Sequence, residues 1–283
     1  MIVCRSGGEI EKLRAVNRLV GEVLAELRST AAPGVTTGDL DRLAERRVRE
    51  AGAEPAFKGY HGFPATICSS VNEQVVHGIP SDRELCEGDV VSIDMGAKLN
   101  GFFGDSAVTV PIGRVSEEAG CLLRATEEAL FRAIDVVRPN ARVSDIGAAV
   151  QAHVEGRGFS VVREFVGHGI GTELHEEPQI ANYGPAGRGP RLAEGMVLAI
   201  EPMVNAGKAA VKVLSDGWTA VTRDGSLSAH FEHTVVVTRD GCEILTLVDP
   251  DRSRVRDGAQ EARVRDARVQ DARGEKQSGA LHR

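Results

Sequence analysis

Residues Glu194–Pro202 read EGMVLAIEP, and residues Glu87–Met95 read EGDVVSIDM. Each is a Glu-Gly turn followed by a short apolar run, the mark of an interior strand. Each run meets an acid: Glu201 in one, Asp94 in the other. A carboxylate beside a buried strand is costly to desolvate unless something compensates it. One such acid is explained by a strand that has reached solvent. Two are harder to dismiss, because Asp94 and Glu201 stand 107 positions apart and a second echo lies at nearly the same offset. PGVTTGDLDRL starts at Pro33 and PNARVSDIGAA at Pro139, 106 positions on. The offset is far too long for a solenoid repeat and points to an internal duplication. Two related halves closing on one another would bring both acids to a shared centre.

The 283-residue chain suffices for one large domain or two small ones, and its 42% hydrophobic content supports a sizeable core. No apolar stretch is long enough to span a membrane, and the start, MIVCRSGGEIEKLR, has no signal-peptide core. Cys4, Cys68, Cys86, Cys121 and Cys242 are odd in number and scattered, which suits reduced thiols in a cytoplasm better than a disulfide framework. From Asp249 onward the character changes. Residues 249–283 hold nine Lys+Arg and seven Asp+Glu with little to bury, so a disordered charged tail is expected. The remainder keeps 25 basic and 34 acidic residues, a balance of −9 that argues against a stable nucleic-acid partner.

Ser6 to Glu9 is a capping-box pattern, and a helix should follow to about Ser29; a second should run from about Thr37 to Ala51. Residues 60–80 read as loops and short strands. Val90–Asp94 and Asp105–Val110 form a strand pair joined around Asn100-Gly101, a hairpin signal. Helices should recur near 116–137 and 144–157. Strands should follow near 161–166, 196–203, 209–214 and 231–238. The expected halves are 9–110 and 116–248, within one domain covering 1–248.

Asp105 lies across the hairpin from Asp94, and Glu232 opens EHTVVVT as Asp105 opens DSAVTV. Four converging carboxylates repel unless protonated or metal-bound. His168, between glycines in VGHGIG, is a fifth candidate ligand. Two Asp, two Glu and one His suit a pair of divalent first-row ions, which generate a nucleophile at neutral pH. His77 in VVHGIP and His175 in ELHEEP could polarise a carbonyl or protonate a leaving amine. His230 shares strand parity with Glu232 and should face the same site.

With these residues in place the chain resembles a methionine aminopeptidase of the short bacterial type I class. The carrying motifs are YHGFPATICSSVNEQVVHGIP, IDMGAKLNGFFGDSAVT, FVGHGIGTELHEEP, GMVLAIEPM and SAHFEHTVVVT, spread from about Gly8 to Val248. The resemblance implies an α+β pita-bread (creatinase/aminopeptidase) fold, two pseudo-symmetric αβ halves around a curved antiparallel sheet. It implies that Asp94, Asp105, His168, Glu201 and Glu232 hold two divalent ions (Co, Mn, Fe or Zn), with Asp105 and Glu232 bridging. It also implies that His77 handles the scissile amide nitrogen, His175 the carbonyl oxyanion, and Glu201 the proton of the attacking water. Tyr60, Phe63, Cys68 and Trp218 match the pocket for the methionine side chain, where a soft thiol suits a thioether. Phe57 stands where a cysteine is common, Phe63 where a tyrosine is, Leu174 replaces an aromatic, and His230 replaces a frequent glutamine.

The implied activity is removal of the N-terminal methionine from nascent proteins whose second residue is small and uncharged. The implied setting is a cytoplasmic monomer with transient ribosome contact and no membrane partner. Two rivals share the fold. A proline peptidase has the same five ligands but usually carries an extra N-terminal domain, and few residues precede the first helix here. A non-catalytic binding protein on this scaffold would have lost ligands, and all five are present.

Overall fold

The computed structural model describes residues 2–248 and the backbone of residues 254–256. Helices α1 (Gly7–Thr30) and α2 (Thr37–Glu50) come first. Both begin on capping boxes: the Glu9 carboxylate accepts from the Ser6 N–H, and Thr36 exchanges bonds with Asp39. Strands β1 (Glu54–Pro55), β2 (Ile67–Val71) and β3 (Gln74–Val76) lead into a long hairpin, β4 (Val90–Leu99) and β5 (Phe102–Pro111). Helices α3 (Glu117–Asp135) and α4 (Val143–Glu155) follow. Then come β6 (Ser160–Val161), β7 (Gly167–Gly169), β8 (Glu176–Ile180), β9 (Val197–Ile200), β10 (Met203–Asn205) and β11 (Val211–Val213). The last are β12 (Ala220–Thr222), β13 (Ser228–His230), β14 (His233–Val237), β15 (Gly241–Ile244) and β16 (Arg254–Arg256).

Every described strand pair is antiparallel, so the class is α+β. β4 is flanked by β5 on one side and by β1 and β2 on the other, while a six-stranded sheet runs β16-β15-β14-β9-β7-β8. Smaller sheets run β13-β10-β6 and β11-β12-β3. The apolar stripe of α1 (Leu13, Val16, Val20, Leu27) joins Ile93 and Met95 of β4 in one buried cluster. Leu122, Ile134 and Ile146 of α3 and α4 join Leu198 and Val235 in another. Each such side chain contributes about 2 kcal/mol by leaving water. No described helix is long and apolar enough to cross a membrane.

The duplication appears as repeated hydrogen bonding. Gly34 N–H donates to Leu85 O and Leu85 N–H to Val35 O, at 2.8 and 2.9 Å. In the second half Asn140 N–H donates to Leu192 O and Leu192 N–H to Ala141 O, at 2.9 and 2.8 Å. Isolated bridges Thr36↔Glu84 and Arg142↔Arg191 repeat the pattern. Gly34 and Asn140 both sit at positive φ, 88° and 71°, and so do Gly88 and Gly195 at the two Glu-Gly turns, 95° and 87°. The same turn chemistry therefore launches β4 and β9.

Three expectations need correction. Asp94 lies in the middle of β4, not at its end, because Asn100 and Gly101 take the positive φ values (52° and 82°) of a two-residue hairpin turn and the ladder runs unbroken from Val90↔Pro111 to Leu99↔Phe102. The strand expected over 196–203 breaks after Ile200, because Pro202 has no N–H to give a ladder. The strand expected over 161–166 is only Ser160–Val161; Phe165 and Val166 turn into a cavity instead. The expected disordered tail lies outside the described residues, except for β16, which pairs with β15.

Candidate active site

The two halves meet along β5 and residues 230–234. Glu232 N–H donates to Ala107 O at 2.9 Å. The buried hydroxyls of Ser106, Thr109 and Thr234 donate to the carbonyls of Glu232, His230 and Asp105 at 2.7–2.8 Å. This seam sets Asp105 and Glu232 side by side although they are far apart in sequence. Within the first half, Asp94 pairs with Ala107 and Gly96 with Asp105, so the two acids are diagonal neighbours on one face. Cys68 pairs with Asp94 and shares that face. Within the second half, His168 pairs with Ala199, two residues before Glu201, and the β9–β14 register from Ile200↔His233 carries on to set Glu201 opposite Glu232.

All five candidate ligands line one cavity of about 310 Å³. Ligand atoms of Asp105, His168 and Glu232 lie within 4.8 Å of one another. His168 Nε2 is 3.9 Å from Asp105 Oδ2 and 3.6 Å from Glu201 Oε1. His168 Nδ1 sits 2.9 Å from the carbonyl of Gly169, which can only accept; Nδ1 therefore carries the proton, and Nε2 turns its lone pair to the acids. Burial holds the His168 imidazole neutral, its pKa lowered to about 3.

The acids are strained electrostatically. Burial, then the charge of Glu201, raises Asp94 to about 7, and burial raises Glu201 to about 8. Burial, then the neighbouring carboxylates, lifts Asp105 and Glu232 well above the carboxylate range. Asp94 Oδ1, Asp105 Oδ1 and Glu232 Oε1 are buried with no hydrogen-bond partner among the described residues. Buried polar atoms normally find partners. Orphaned oxygens on three converging acids, facing one imidazole lone pair, fit a divalent cation.

The remaining expected residues are also here. Tyr60, Phe63, Cys68 and Trp218 line the cavity, with Phe63 and Trp218 in edge contact at 5.2 Å. Burial keeps the Cys68 thiol protonated, its pKa raised well above the usual value. His77 sits at φ 60°, a strained setting for a residue with a side chain, and burial lowers its pKa to about 4. The Tyr60 hydroxyl lies 2.8 Å from His175 Nδ1, and the rings of His168 and His175 are 4.4 Å apart. Gly96 makes room for Phe57: a Cβ there would come within 2.8 Å of its ring.

Several supporting residues escaped the sequence reading. Asn17 is fully buried; its Oδ1 accepts from Asp105 N–H at 3.3 Å and its Nδ2 donates to Leu13 O at 2.9 Å. A polar residue on the apolar stripe Leu13-Val16-Asn17-Val20 was the available signal. Asn182 holds Glu201, donating to its carbonyl at 3.0 Å, and Phe165, Val166, Val76 and Met203 complete the cavity wall. These give no local signal.

Arg5 clamps the loop that carries His175. Its guanidinium pairs with Glu176, and both side chains are largely buried (5% and 13% exposed). Glu176 Oε1 also accepts the Thr172 N–H at 2.9 Å and the Glu173 N–H at 3.2 Å. Arg5→Ala leaves a buried carboxylate without its cation. It is expected to lower stability by about 3 kcal/mol and to reduce kcat more than it raises KM, since His175 loses its fixed position. Urea unfolding and steady-state kinetics check both; an unchanged midpoint would show that the pair is solvated.

A model of metallopeptidase family M24 matches residues 11–239. Methionine aminopeptidase 1 of Bacillus subtilis is 53% identical over 248 residues, 88% of this chain and 100% of the relative. The methionine aminopeptidase of Escherichia coli K12 is 47% identical over 245 residues, covering 86% and 93%. Among solved structures, methionine aminopeptidase from Rickettsia prowazekii matches with a TM-score of 0.86 at 44% identity, covering 87% of this chain and 100% of that one. Prolidase from Pyrococcus furiosus matches with a TM-score of 0.71 at 23% identity, covering 87% and 66%, a likeness of fold alone.

Proposed function

The chain belongs to metallopeptidase family M24, on its methionine aminopeptidase branch, and from that premise we infer how it removes an N-terminal methionine. The fold is the pita bread. We take residues 1–248 as one catalytic domain with halves 9–110 and 116–248. The observation that carries the reading is the ring of five candidate ligands, three of whose carboxylates hold an orphaned buried oxygen. Asp94, Asp105, His168, Glu201 and Glu232 would hold two divalent ions. Ions bound there would polarise the scissile carbonyl and lower the pKa of water.

The chain's own side chains supply the rest. The methionine side chain fills the slot of Tyr60, Phe63, Cys68 and Trp218, where an unbranched thioether fits better than leucine. Its free amine approaches Asp94. Glu201 takes up the proton of the attacking water. With the Tyr60 hydroxyl donating to Nδ1, neutral His175 keeps its proton on Nε2 and can donate to the developing oxyanion. His77 stands toward the scissile nitrogen. The second residue must pass His77 and His175, and a displacement of about 1 Å there costs roughly a hundredfold in rate. Small second residues are therefore preferred.

We propose that the chain acts as a monomer on nascent N-termini in the cytoplasm. A panel of Met-Ala-Ser, Met-Lys-Ser, Leu-Ala-Ser and Ala-Pro-Ser tests the reading. Met-Ala-Ser is expected to be cleaved roughly a hundredfold faster than Met-Lys-Ser. Preferred cleavage of Ala-Pro-Ser would move the chain to the proline peptidases; equal rates on the two Met peptides would remove the narrow wall.

A further inference from the structure

His230 carries an inference beyond the five ligands, resting on the dinuclear reading above. The pairing register reveals what sequence spacing hid. Asp105 pairs with Gly96, two residues beyond Asp94; His230 pairs with Met203, two residues beyond Glu201. Asp94 and Glu201, and likewise Gly96 and Met203, are related by the 107-residue offset of the duplication. His230, not Glu232, is therefore the counterpart of Asp105. Glu232, which the register sets opposite Glu201, is the counterpart of Ala107, which pairs with Asp94. The match of EHTVVVT to DSAVTV in sequence is therefore offset by two residues from the match in structure.

The side chain behaves accordingly. His230 is 1% exposed, and its Nε2 is buried with no hydrogen-bond partner among the described residues. That Nε2 lies 3.5 Å from Glu201 Oε2, while His168 Nε2 lies 3.6 Å from Glu201 Oε1. Two imidazole nitrogens thus flank the two oxygens of one carboxylate. The backbone of His230 is locked: its N–H donates to Thr109 Oγ1, whose hydroxyl donates back to the His230 carbonyl, both at 2.8 Å. A histidine filling core space would satisfy its ring nitrogens. This one aims an unpartnered nitrogen at the acid cluster.

We infer that His230 is a sixth metal-binding side chain, supplying Nε2 to the ion pair on the side of Asp94 and Glu201. A second imidazole makes the site richer in nitrogen and favours Co, Zn or Fe over the more oxygen-seeking Mn.

The test uses the full chain loaded with two equivalents of Co(II), wild type and His230→Gln. Each coordinated imidazole contributes one hyperfine-shifted proton resonance that disappears in D2O. Two such resonances are expected in the wild type and one in H230Q, with Co(II) affinity in a chelator competition weakened by about tenfold or more. The wild-type count alone decides the matter should H230Q fold poorly. One resonance in a wild type that binds two ions, or equal affinities, would overturn the assignment and leave the dinuclear site standing. A wild type that binds no ion, no better than Asp105→Asn, would remove both.

Discussion

Asp105→Asn should take two ions down to one or none and lower kcat by roughly a thousandfold or more, a loss of about 4 kcal/mol of transition-state stabilisation. The substitution keeps shape and changes charge. Asp105 is 4% exposed, and its backbone is held by Asn17 and Thr234 regardless of the side-chain terminus. The fold should survive. Indeed the metal-free variant should be no less stable than the metal-free wild type, because one member of a repelling group has been neutralised. That pairing separates a ligand from a structural residue. A ligand loses metal and turnover while the empty protein keeps or gains stability; a structural acid loses all together. Near-normal kcat at saturating metal would defeat the shared-ion arrangement. Elemental analysis, steady-state kinetics and thermal unfolding of the stripped protein give the three readouts.

Stripping the metal should also reverse the usual dependence of stability on pH. Asp94 and Glu201, at about 7 and about 8 in the fold, bind protons more tightly there than in the unfolded chain, as do Asp105 and Glu232. Their contribution is present at low pH and lost as pH rises through the folded values. Each carboxylate still protonated in the fold removes about 1.4 kcal/mol per pH unit of rise. His168, His77 and His233, lowered to between about 3 and about 4, act oppositely: they oppose folding as pH falls below their unfolded value. Above about pH 6.5 only the carboxylate effect remains. The metal-free protein should thus lose stability between pH 6.5 and 8, with a midpoint drop of roughly 5 °C or more. Bound cations displace those protons, so the loaded protein should show a flat or rising midpoint over the same range. Parallel curves with and without metal would mean the acids are compensated by something else.

The sequence by itself was enough for the local and periodic features. The capping box at Ser6, the Asn100-Gly101 turn and the offset repeat of Glu-Gly turn plus apolar strand are short-range patterns, each set by a few adjacent residues. They placed the helices, the duplication and the acids Asp94, Asp105, Glu201 and Glu232, because an ionisable group beside a buried strand stands out without any fold. Only the tertiary structure decided register and support. Asp94 belongs mid-strand because the hairpin continues past it, and Pro202 ends β9 for want of one N–H. His230, rather than Glu232, answers to Asp105 because the alignment of β10 with β13, not linear distance, sets which side chains share a face. Asn17, Asn182 and Arg5 steady the site across long sequence separations, and contacts of that kind leave no mark in a linear pattern. Periodicity reports which face of an element is buried; what that face meets is settled only when the halves close.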